Sequence, residues 1–287
     1  MTVDEKLAAI LAAVQTDPGN RGLARDPDDN LFTATAGQFQ AACRSIAEHS
    51  APRVRIYTGF FIPTAEPPSF ESDGPLGARF LSHVFSNFDI AVDIRADAEL
   101  NASVSYWDQP GYPLRAVSHV VALERPGPTA DGTFRTMRGL DITSHHRVVH
   151  AEYLSDALMP GVVTIGIGDG GNEIGMGKIS PTVIASNIAN GAAIHCRVPT
   201  DYLIVAGVSN WGAYALATGV ALLHSVATGS GPVQLPSEDE LSRLEFMNLF
   251  YPLVDGVTGL QEATVDGLPW DVYAAPLLRI REILELP

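Results

Sequence analysis

Cysteine is almost absent from this 287-residue chain, which contains only Cys43 and Cys196 and no Cys-x-x-Cys motif. Two cysteines so far apart exclude a disulfide framework and a cysteine-based zinc site, and they are typical of a reducing compartment. The chain also lacks an uncharged apolar run of about 18 residues, which excludes a membrane-spanning helix. Its first residues include Asp4 and Glu5 where a secretory signal would carry basic residues. We therefore expect a cytoplasmic protein with no membrane partner.

Basic residues are also scarce, because 18 Lys and Arg stand against 33 Asp and Glu and give a net charge of −15. A chain this acidic repels phosphate backbones, which excludes nucleic acid as a partner class. Any anionic substrate would need local positive charge or a bound cation. Only Lys6 and Lys178 are lysines, and Lys178 lies in the most glycine-rich stretch. A functional lysine and a surface lysine are equally compatible with that position.

Short apolar runs alternate with helical segments along most of the chain. The runs are bounded by Gly, Pro, Asp or Asn, which is typical of strands buried on both faces. This alternation predicts an α/β fold with a mostly parallel central sheet and helices on both faces. The predicted strands cover 53–61, 88–94, 119–124, 162–168 and 202–208, and the predicted helices cover 4–15, 38–49, 76–88, 144–158, 180–191, 210–228, about 237–249 and 271–285.

No linker rich in Gly, Ser and Pro divides the chain. We therefore predict one domain over 1–287, in which N-terminal helices within 1–50 pack on a core formed by 51–287. The stretch 97–118 is irregular, and both a small insertion and an edge hairpin remain open. The apolar helix 210–228 packs either within the chain or against a second copy, so a homo-oligomer remains open as well.

Polar, glycine-marked turns follow four of the predicted strands. In open parallel sheets, the carboxyl ends of the strands form the ligand crevice. These turns therefore predict a small-molecule site at that edge of the sheet. They lie at 59–78, 124–127, 168–178 and 209–212.

The most distinctive turn is GIGDGGNEIGMGK at 166–178, with six glycines in thirteen residues. Its Gly-x-Gly-x-x-Gly spacing matches the dinucleotide fingerprint, but Asp169 and Glu173 would repel a pyrophosphate. The phosphate-binding P-loop pattern is not matched either. With Asn172, these two carboxylates form a set of oxygen ligands suited to Mg²⁺, Mn²⁺ or Ca²⁺. The alternative is structural, with Asp169 as a helix cap and Glu173 complementing the helix dipole.

The first turn contributes Glu71 and Asp73, which would add to this oxygen set. Asn210 follows the last predicted strand, where a helix cap and a contact to a substrate are equally expected. No Gly-x-Ser-x-Gly motif is present, so an activated serine nucleophile is not expected.

Five motifs together resemble the D-glutamate cyclase family over about residues 50–270. They are ESDGPLGA (71–78), ERPG (124–127), IGIGDGGNEIGMGK (165–178), SNWGAYAL (209–216) and VDGVTG (254–259). The resemblance implies a hydro-lyase that converts D-glutamate to 5-oxo-D-proline with loss of water. A divalent cation, Mg²⁺ or Mn²⁺, held by the carboxylates of the glycine-rich turn would assist this reaction by polarising the reacting carboxylate.

The resemblance also suggests a role for each candidate residue. Glu124 would accept the proton of the amine and later protonate the leaving oxygen. Lys178 or Arg125, together with glycine N–H groups, would hold the α-carboxylate. The expected catalytic residues are Asp169, Glu173, Glu124 and Lys178; the expected metal ligands are Asp73, Asp169 and Glu173; and the expected substrate-binding residues are Asp73, Gly170, Gly171, Asn172, Arg125 and Asn210.

Two other functions remain compatible with the same turn. One is a metal-dependent hydrolase of a small phosphate ester, in which the cation would bind phosphoryl oxygens. The other is a protein that binds an amino acid or a metal without turnover. It would be stabilised by its ligand and form no product.

Overall fold

A computed structural model describes residues 1–98, 100, 114, 116–236, 244–245 and 253–286. Its central element is a five-stranded sheet in which all neighbouring strands are parallel, with the order β4-β1-β5-β6-β7. Two short strands, β2 and β3, form a separate antiparallel pair. The α/β prediction is therefore confirmed. The strands are β1 (Arg53–Thr58), β2 (Phe61–Ile62), β3 (Ser69–Phe70), β4 (Ala91–Arg95), β5 (His119–Leu123), β6 (Val163–Gly168) and β7 (Tyr202–Val205).

Helices occupy most of the predicted helical segments. One difference is the segment predicted at 180–191, which ends early and is followed by a separate short helix. Asn190 has a φ of 58° between the two and interrupts the helical backbone. The α-helices that lie wholly within the described ranges are α1 (Val3–Val14), α2 (Gln38–Ala47), α3 (Pro75–Ser86), α4 (Thr143–Ala157), α5 (Pro181–Asn187), α6 (Gly191–Ile194), α7 (Ser209–Thr228) and α8 (Trp270–Glu285).

Alternate residues of the strands face opposite helical layers. Along β5, Val121 and Leu123 join the largest apolar cluster, which also contains residues of α1, α2, α3, α7 and α8. Val120 and Ala122 face the other way and pack with Tyr153 of α4. A strand covered on both faces is apolar at successive positions, which explains the continuous runs in the sequence.

The N-terminal helices α1 and α2 both contact α7. Thr2 and Glu5 form a capping box at the start of α1, where each side chain accepts a hydrogen bond from the other residue's N–H. Leu7 and Ile10 of α1 and Phe39 of α2 are buried in the largest apolar cluster. The N-terminal helices thus pack against α7, and the one-domain organisation stays a prediction.

Each of the five predicted strands differs from the observed one by at least one residue at an end, and β1, β4 and β7 differ by three. β1 ends at Thr58 because Gly59 has a φ of 108°, which turns the chain out of the sheet. β4 begins only at Ala91, since the preceding residues form the turn that closes α3. Most of the predicted helix at 237–249 and most of the stretch 97–118 lie outside the described residues.

Candidate active site

A cavity of about 250 Å³ lies where the turns after β1, β5 and β6 meet. This is the carboxyl edge of the sheet, as the turn positions predict. The N-terminal segment and two loops from outside the sheet complete its wall. The lining residues are Gly19, Arg21, Phe60, Ile62, Pro63, Thr64, Glu71, Glu124, Thr136, Met137, Arg138, Leu140, Asp169, Asn172, Glu173, Gly256, Val257 and Asp266.

Six buried carboxylates surround the inner end of this site. Asp73, Asp169 and Asp266 each offer an oxygen within 4.8 Å of the others, and so do Glu124, Asp169 and Glu173. Asp169 belongs to both groups and therefore lies at the centre. The predicted ligand set of Asp73, Asp169 and Glu173 is divided between the two groups. The six carboxylates are those of Glu71, Asp73, Glu124, Asp169, Glu173 and Asp266.

Arg21 supplies positive charge at the centre of these carboxylates. Its guanidinium pairs with Asp169 through Nη1 and with Asp266 through Nη2, the latter at 2.6 Å. The loop that carries Arg21 is held by Asp17, whose carboxylate accepts hydrogen bonds from the backbone N–H groups of Arg21 and Gly22 at 2.9 and 2.8 Å. Arg21 and Asp266 were not among the predicted site residues, because neither belongs to a local motif that marks a site.

Burial raises the pKa of several of these carboxyl groups. The pKa of Asp169 rises to about 7, chiefly through burial, while the Arg21 guanidinium acts in the opposite direction. The pKa of Asp266 also rises to about 7 for the same reasons. Burial and neighbouring carboxylates also raise the pKa of Glu71 and Glu124 well above the ordinary value. Perturbation of this kind is typical of functional sites.

The glycine-rich turn binds its own glutamate. The Glu173 carboxylate accepts hydrogen bonds from the backbone N–H groups of Asp169, Gly170 and Gly171 at 3.0, 2.6 and 2.8 Å. Successive N–H groups of this kind form a small anion-binding nest. The expectation that Gly170 and Gly171 hold a substrate carboxylate is therefore corrected, since these donors already have an acceptor.

Asp73 and Asn210 cap each other's helices. The Asp73 carboxylate accepts from the N–H groups of Ser209 and Asn210 at 3.0 and 2.8 Å, at the start of α7. The Asn210 side-chain oxygen accepts from the N–H groups of Gly74 and Gly77 at 2.8 and 2.7 Å, at the start of α3. Asn210 is thus a cap, but of the neighbouring helix. Neither residue is among those that line the cavity.

Asp169 also contributes to the start of α7, because its Oδ2 accepts from the N–H of Ser209 at 3.1 Å. The glycine-rich turn itself does not continue into a helix, since α5 begins only at Pro181. Asp169 therefore does accept a hydrogen bond at the start of a helix, as the structural alternative proposed. That helix is α7, and not a helix that continues from the glycine-rich turn. The contact leaves Asp169 on the cavity wall.

Glu124 lines the cavity with a strained backbone. Its φ of 42° lies in the left-handed region, which non-glycine residues adopt at a cost of about 1–3 kcal/mol. Its Oε2 accepts a hydrogen bond of 2.5 Å from the Ser209 hydroxyl. Strain maintained by the surrounding structure is common at reactive side chains.

Arg125 does not reach the cavity. Its guanidinium is fully buried, pairs with Asp97 and donates to the carbonyl oxygens of Gly59 and His146, both at 3.2 Å. The expected substrate-binding role of Arg125 is therefore corrected, because the Arg125 guanidinium is buried and already donates to these acceptors. Arg125 instead supports the backbone next to Glu124.

Lys178 also lies outside the residues that line the cavity. Its side chain is exposed and donates to the carbonyl oxygens of Thr200 and Asp201 at 3.2 and 2.5 Å. The expected catalytic role of Lys178 is therefore corrected in favour of the surface alternative. The last residues of the glycine-rich turn that line the cavity are Asn172 and Glu173. The Asn172 side chain donates to the carbonyl of Arg135 at 2.8 Å.

Comparison with known proteins agrees with the resemblance of the motifs. The family model described as "D-glutamate cyclase-like, C-terminal" matches residues 10–106 and 108–281. The chain belongs to this family.

In the described part of the chain, no helix has both the length and the apolar character that a membrane span requires.

A curated relative is the human protein named "D-glutamate cyclase, mitochondrial", which is 30% identical over 329 aligned positions. The alignment covers 97% of this chain and 52% of the human protein. The chain thus spans about half the length of this D-glutamate cyclase-like relative.

Proposed function

We propose that this protein converts D-glutamate to 5-oxo-D-proline with loss of water. In this reaction the amine nitrogen bonds to the γ-carboxyl carbon, one carbon–oxygen bond of that carboxyl breaks, and the oxygen leaves as water. The observation that carries the proposal is the ring of buried carboxylates with raised pKa around a cavity of amino-acid size. Family membership supports the choice of substrate.

The proton transfers of this reaction suit Glu124. The amine attacks only in its neutral form, so a base must first accept a proton from the ammonium group. A carboxylate whose pKa is raised towards neutrality accepts and returns protons near the working pH. Burial and the neighbouring Asp169 and Glu173 raise the pKa of Glu124 well above its ordinary value. We assign Glu124 as general base and then general acid, and its hydrogen bond from Ser209 fixes the carboxylate.

The acidic residues also fit a divalent cation. Among the described residues, the Asp266 Oδ2 and Asn172 Oδ1 atoms are buried without a hydrogen-bond partner, which leaves two oxygens for a ligand. Carboxylate and amide oxygens suit Mg²⁺, Mn²⁺ or Ca²⁺. We propose Asp169, Asp73 and Glu173 as ligands, with Asp266 added by the structure. A bound cation would polarise the γ-carboxylate.

The site must also tolerate an anionic substrate. Arg21 reduces the negative charge of this group of carboxylates by pairing with Asp169 and Asp266. These pairs keep Asp169 in place beside Glu124. We assign Arg21 as a positioning residue.

The cytoplasmic location and a homo-oligomeric state remain predictions from the sequence.

A product assay tests the proposal. Purified protein is incubated with D-glutamate or L-glutamate, with Mg²⁺, with Mn²⁺ and with a chelator, and chiral mass spectrometry detects 5-oxoproline. We expect product from the D-isomer, and loss of turnover by at least about a hundredfold in Asp169→Asn. Asp28→Asn changes an exposed carboxylate in the same way and serves as the control.

Two outcomes would contradict the proposal. Full activity of a folded Asp169→Asn variant would remove Asp169 from the mechanism. Absence of turnover in either direction, together with metal-dependent hydrolysis of a generic phosphate ester, would favour the hydrolase alternative. Ligand-induced stabilisation without any product would favour a binding protein.

A further inference from the structure

Arg138 and the buried carboxylates of Glu124, Asp169 and Glu173 line the same cavity. The Arg138 side chain is exposed, as are those of Leu140 and Val257, and all three line the cavity. The carboxylates are buried, so the cavity has a buried acidic end and an exposed mouth that carries a guanidinium. Charge is therefore distributed unequally along the length of the site.

The turn that presents Arg138 is held in place on several sides. The Thr136 N–H donates to the Leu140 carbonyl at 3.0 Å, and the Gly139 N–H donates to the Thr136 carbonyl at 2.8 Å. Asn190 donates to the Met137 carbonyl at 3.3 Å and thereby ties the turn to a second loop. A guanidinium on a fixed turn loses less entropy when it binds a ligand.

Arg138 also differs from Arg21 in its partners. Arg21 is already paired with two carboxylates. Arg138 donates to the Val257 carbonyl at 3.1 Å and forms no ion pair with a described carboxylate. Most of the N–H donors of Arg138 therefore remain for a ligand at the mouth. A guanidinium with free donors binds a carboxylate through two parallel hydrogen bonds.

We propose that Arg138 binds the α-carboxylate of the substrate and thereby selects α-amino acids that carry a free α-carboxylate. This rests on the proposed cyclisation. Ring closure requires the amine and the γ-carboxyl group to lie together, and the acidic end attracts the ammonium group. The α-carboxylate is the one charged group outside the new ring, so it points to the mouth. Arg138 then replaces Arg125 and Lys178 as the expected α-carboxylate ligand.

The test compares two substrates that differ only at this group. D-glutamate and its α-amide, D-isoglutamine, have the same amine and the same γ-carboxyl group. Steady-state kinetics are measured for wild type, Arg138→Gln, Arg138→Lys and the control Arg147→Gln, which removes an exposed charge outside the cavity. Circular dichroism and thermal unfolding establish that each variant is folded.

We expect wild type to prefer D-glutamate over the α-amide by about tenfold or more. Arg138→Gln is expected to lower kcat/KM for D-glutamate about 10- to 100-fold, mainly through KM, and to change the α-amide little. Arg138→Lys should restore part of the preference, and Arg147→Gln should match wild type. If Arg138 only joins its turn to the Val257 carbonyl, both substrates lose the same factor, and that result would overturn the inference.

Failure of the proposed reaction has a different signature. If wild type turns over neither substrate, calorimetric titration of the same four proteins with D-glutamate and D-isoglutamine in the presence of Mg²⁺ makes the same comparison by affinity. Weaker binding of D-glutamate alone in Arg138→Gln would support Arg138 as the α-carboxylate ligand. Equal binding by wild type and Arg138→Gln, or no binding by wild type, would overturn it.

Discussion

The Asp266 side chain binds Arg21 through one oxygen and leaves its other oxygen without a hydrogen-bond partner among the described residues. A buried carboxylate with one unpartnered oxygen lowers stability, because desolvation is only partly compensated. Asp266 also has a left-handed backbone with a φ of 59°. A ligand-binding role explains a carboxylate at this position better than a role in folding does. Because the pKa of Asp266 is about 7, the pH dependence of stability measures what burial of this carboxylate costs in unfolding free energy.

Asp266→Asn is therefore expected to stabilise the protein at alkaline pH. The folded pKa lies above the unfolded one, so the folded carboxyl group is favoured at low pH and loses stability as pH rises from about 4 to about 7. Above pH 7 wild type bears the full cost, and the variant should be more stable by on the order of 4 kcal/mol. Urea unfolding at pH 5 and pH 8 with a chelator measures this difference.

The change in this difference with pH is the decisive quantity. Asn also adopts left-handed backbone more readily than most residues, which adds a contribution independent of pH. The exposed control Asp28→Asn should show no difference between the two pH values. A variant that is destabilised equally at pH 5 and pH 8 would mean that the ion pair with Arg21 outweighs burial.

At the scale of elements, the site depends on the contact between α3 and α7. Asp73 and Asn210 exchange caps across this contact, so the N-termini of both helices meet behind the carboxylates. Gly77 permits the close approach, since a Cβ at this position would lie 2.8 Å from the Asn210 oxygen. The Asp73 carboxylate also complements the dipole of α7.

Asn210→Ala should destabilise the protein by about 2–4 kcal/mol, because it leaves the Gly77 N–H buried without an acceptor and removes the Nδ2 donor of the Ser72 carbonyl. The Gly74 N–H keeps Asp73 Oδ1 as an acceptor at 3.0 Å. Urea unfolding measures the loss. Ser180 caps α5 at an exposed position, so Ser180→Ala should cost about 1 kcal/mol and serves as the control. A loss no larger than that of Ser180→Ala, or a large rise in KM in the folded variant, would argue against a purely structural cap.

At the scale of the whole molecule, negative charge is both abundant and concentrated. The net charge is −15, and six buried carboxylates lie at one edge of the sheet beside Arg21. Like charges at such distances repel strongly in a buried site. A bound divalent cation would relieve this repulsion and stabilise the folded state.

Mg²⁺ or Mn²⁺ at about 100 times its Kd should therefore add about 2.7 kcal/mol of stability, which raises Tm by several degrees. Differential scanning calorimetry measures the shift. We expect it to disappear in Asp169→Asn and to persist in Asp28→Asn. An equal shift with NaCl at matched ionic strength would indicate general screening and would contradict a specific cation site.

Local patterns in the sequence predicted much of the fold and the location of the site. Apolar runs predicted the five parallel strands, because strands buried on both faces are apolar throughout. Glycine-marked turns predicted the edge of the sheet at which the cavity lies. The acidic residues of those turns do lie together, as Glu124 and Asp169 show. The roles of Lys178 and Arg125 were predicted wrongly, since spacing does not reveal which acceptors surround a side chain.

The sequence by itself determined the α/β architecture, the family and the acidic character of the site, because each depends on composition or on contiguous residues. Only the tertiary structure brought Arg21, Arg138 and Asp266 to the same cavity from distant parts of the chain. It also decided that Glu173 occupies the glycine N–H groups and that Asn210 caps α3. Hydrogen-bond partners and buried charge depend on how elements pack, and packing between distant segments leaves no local pattern in the sequence.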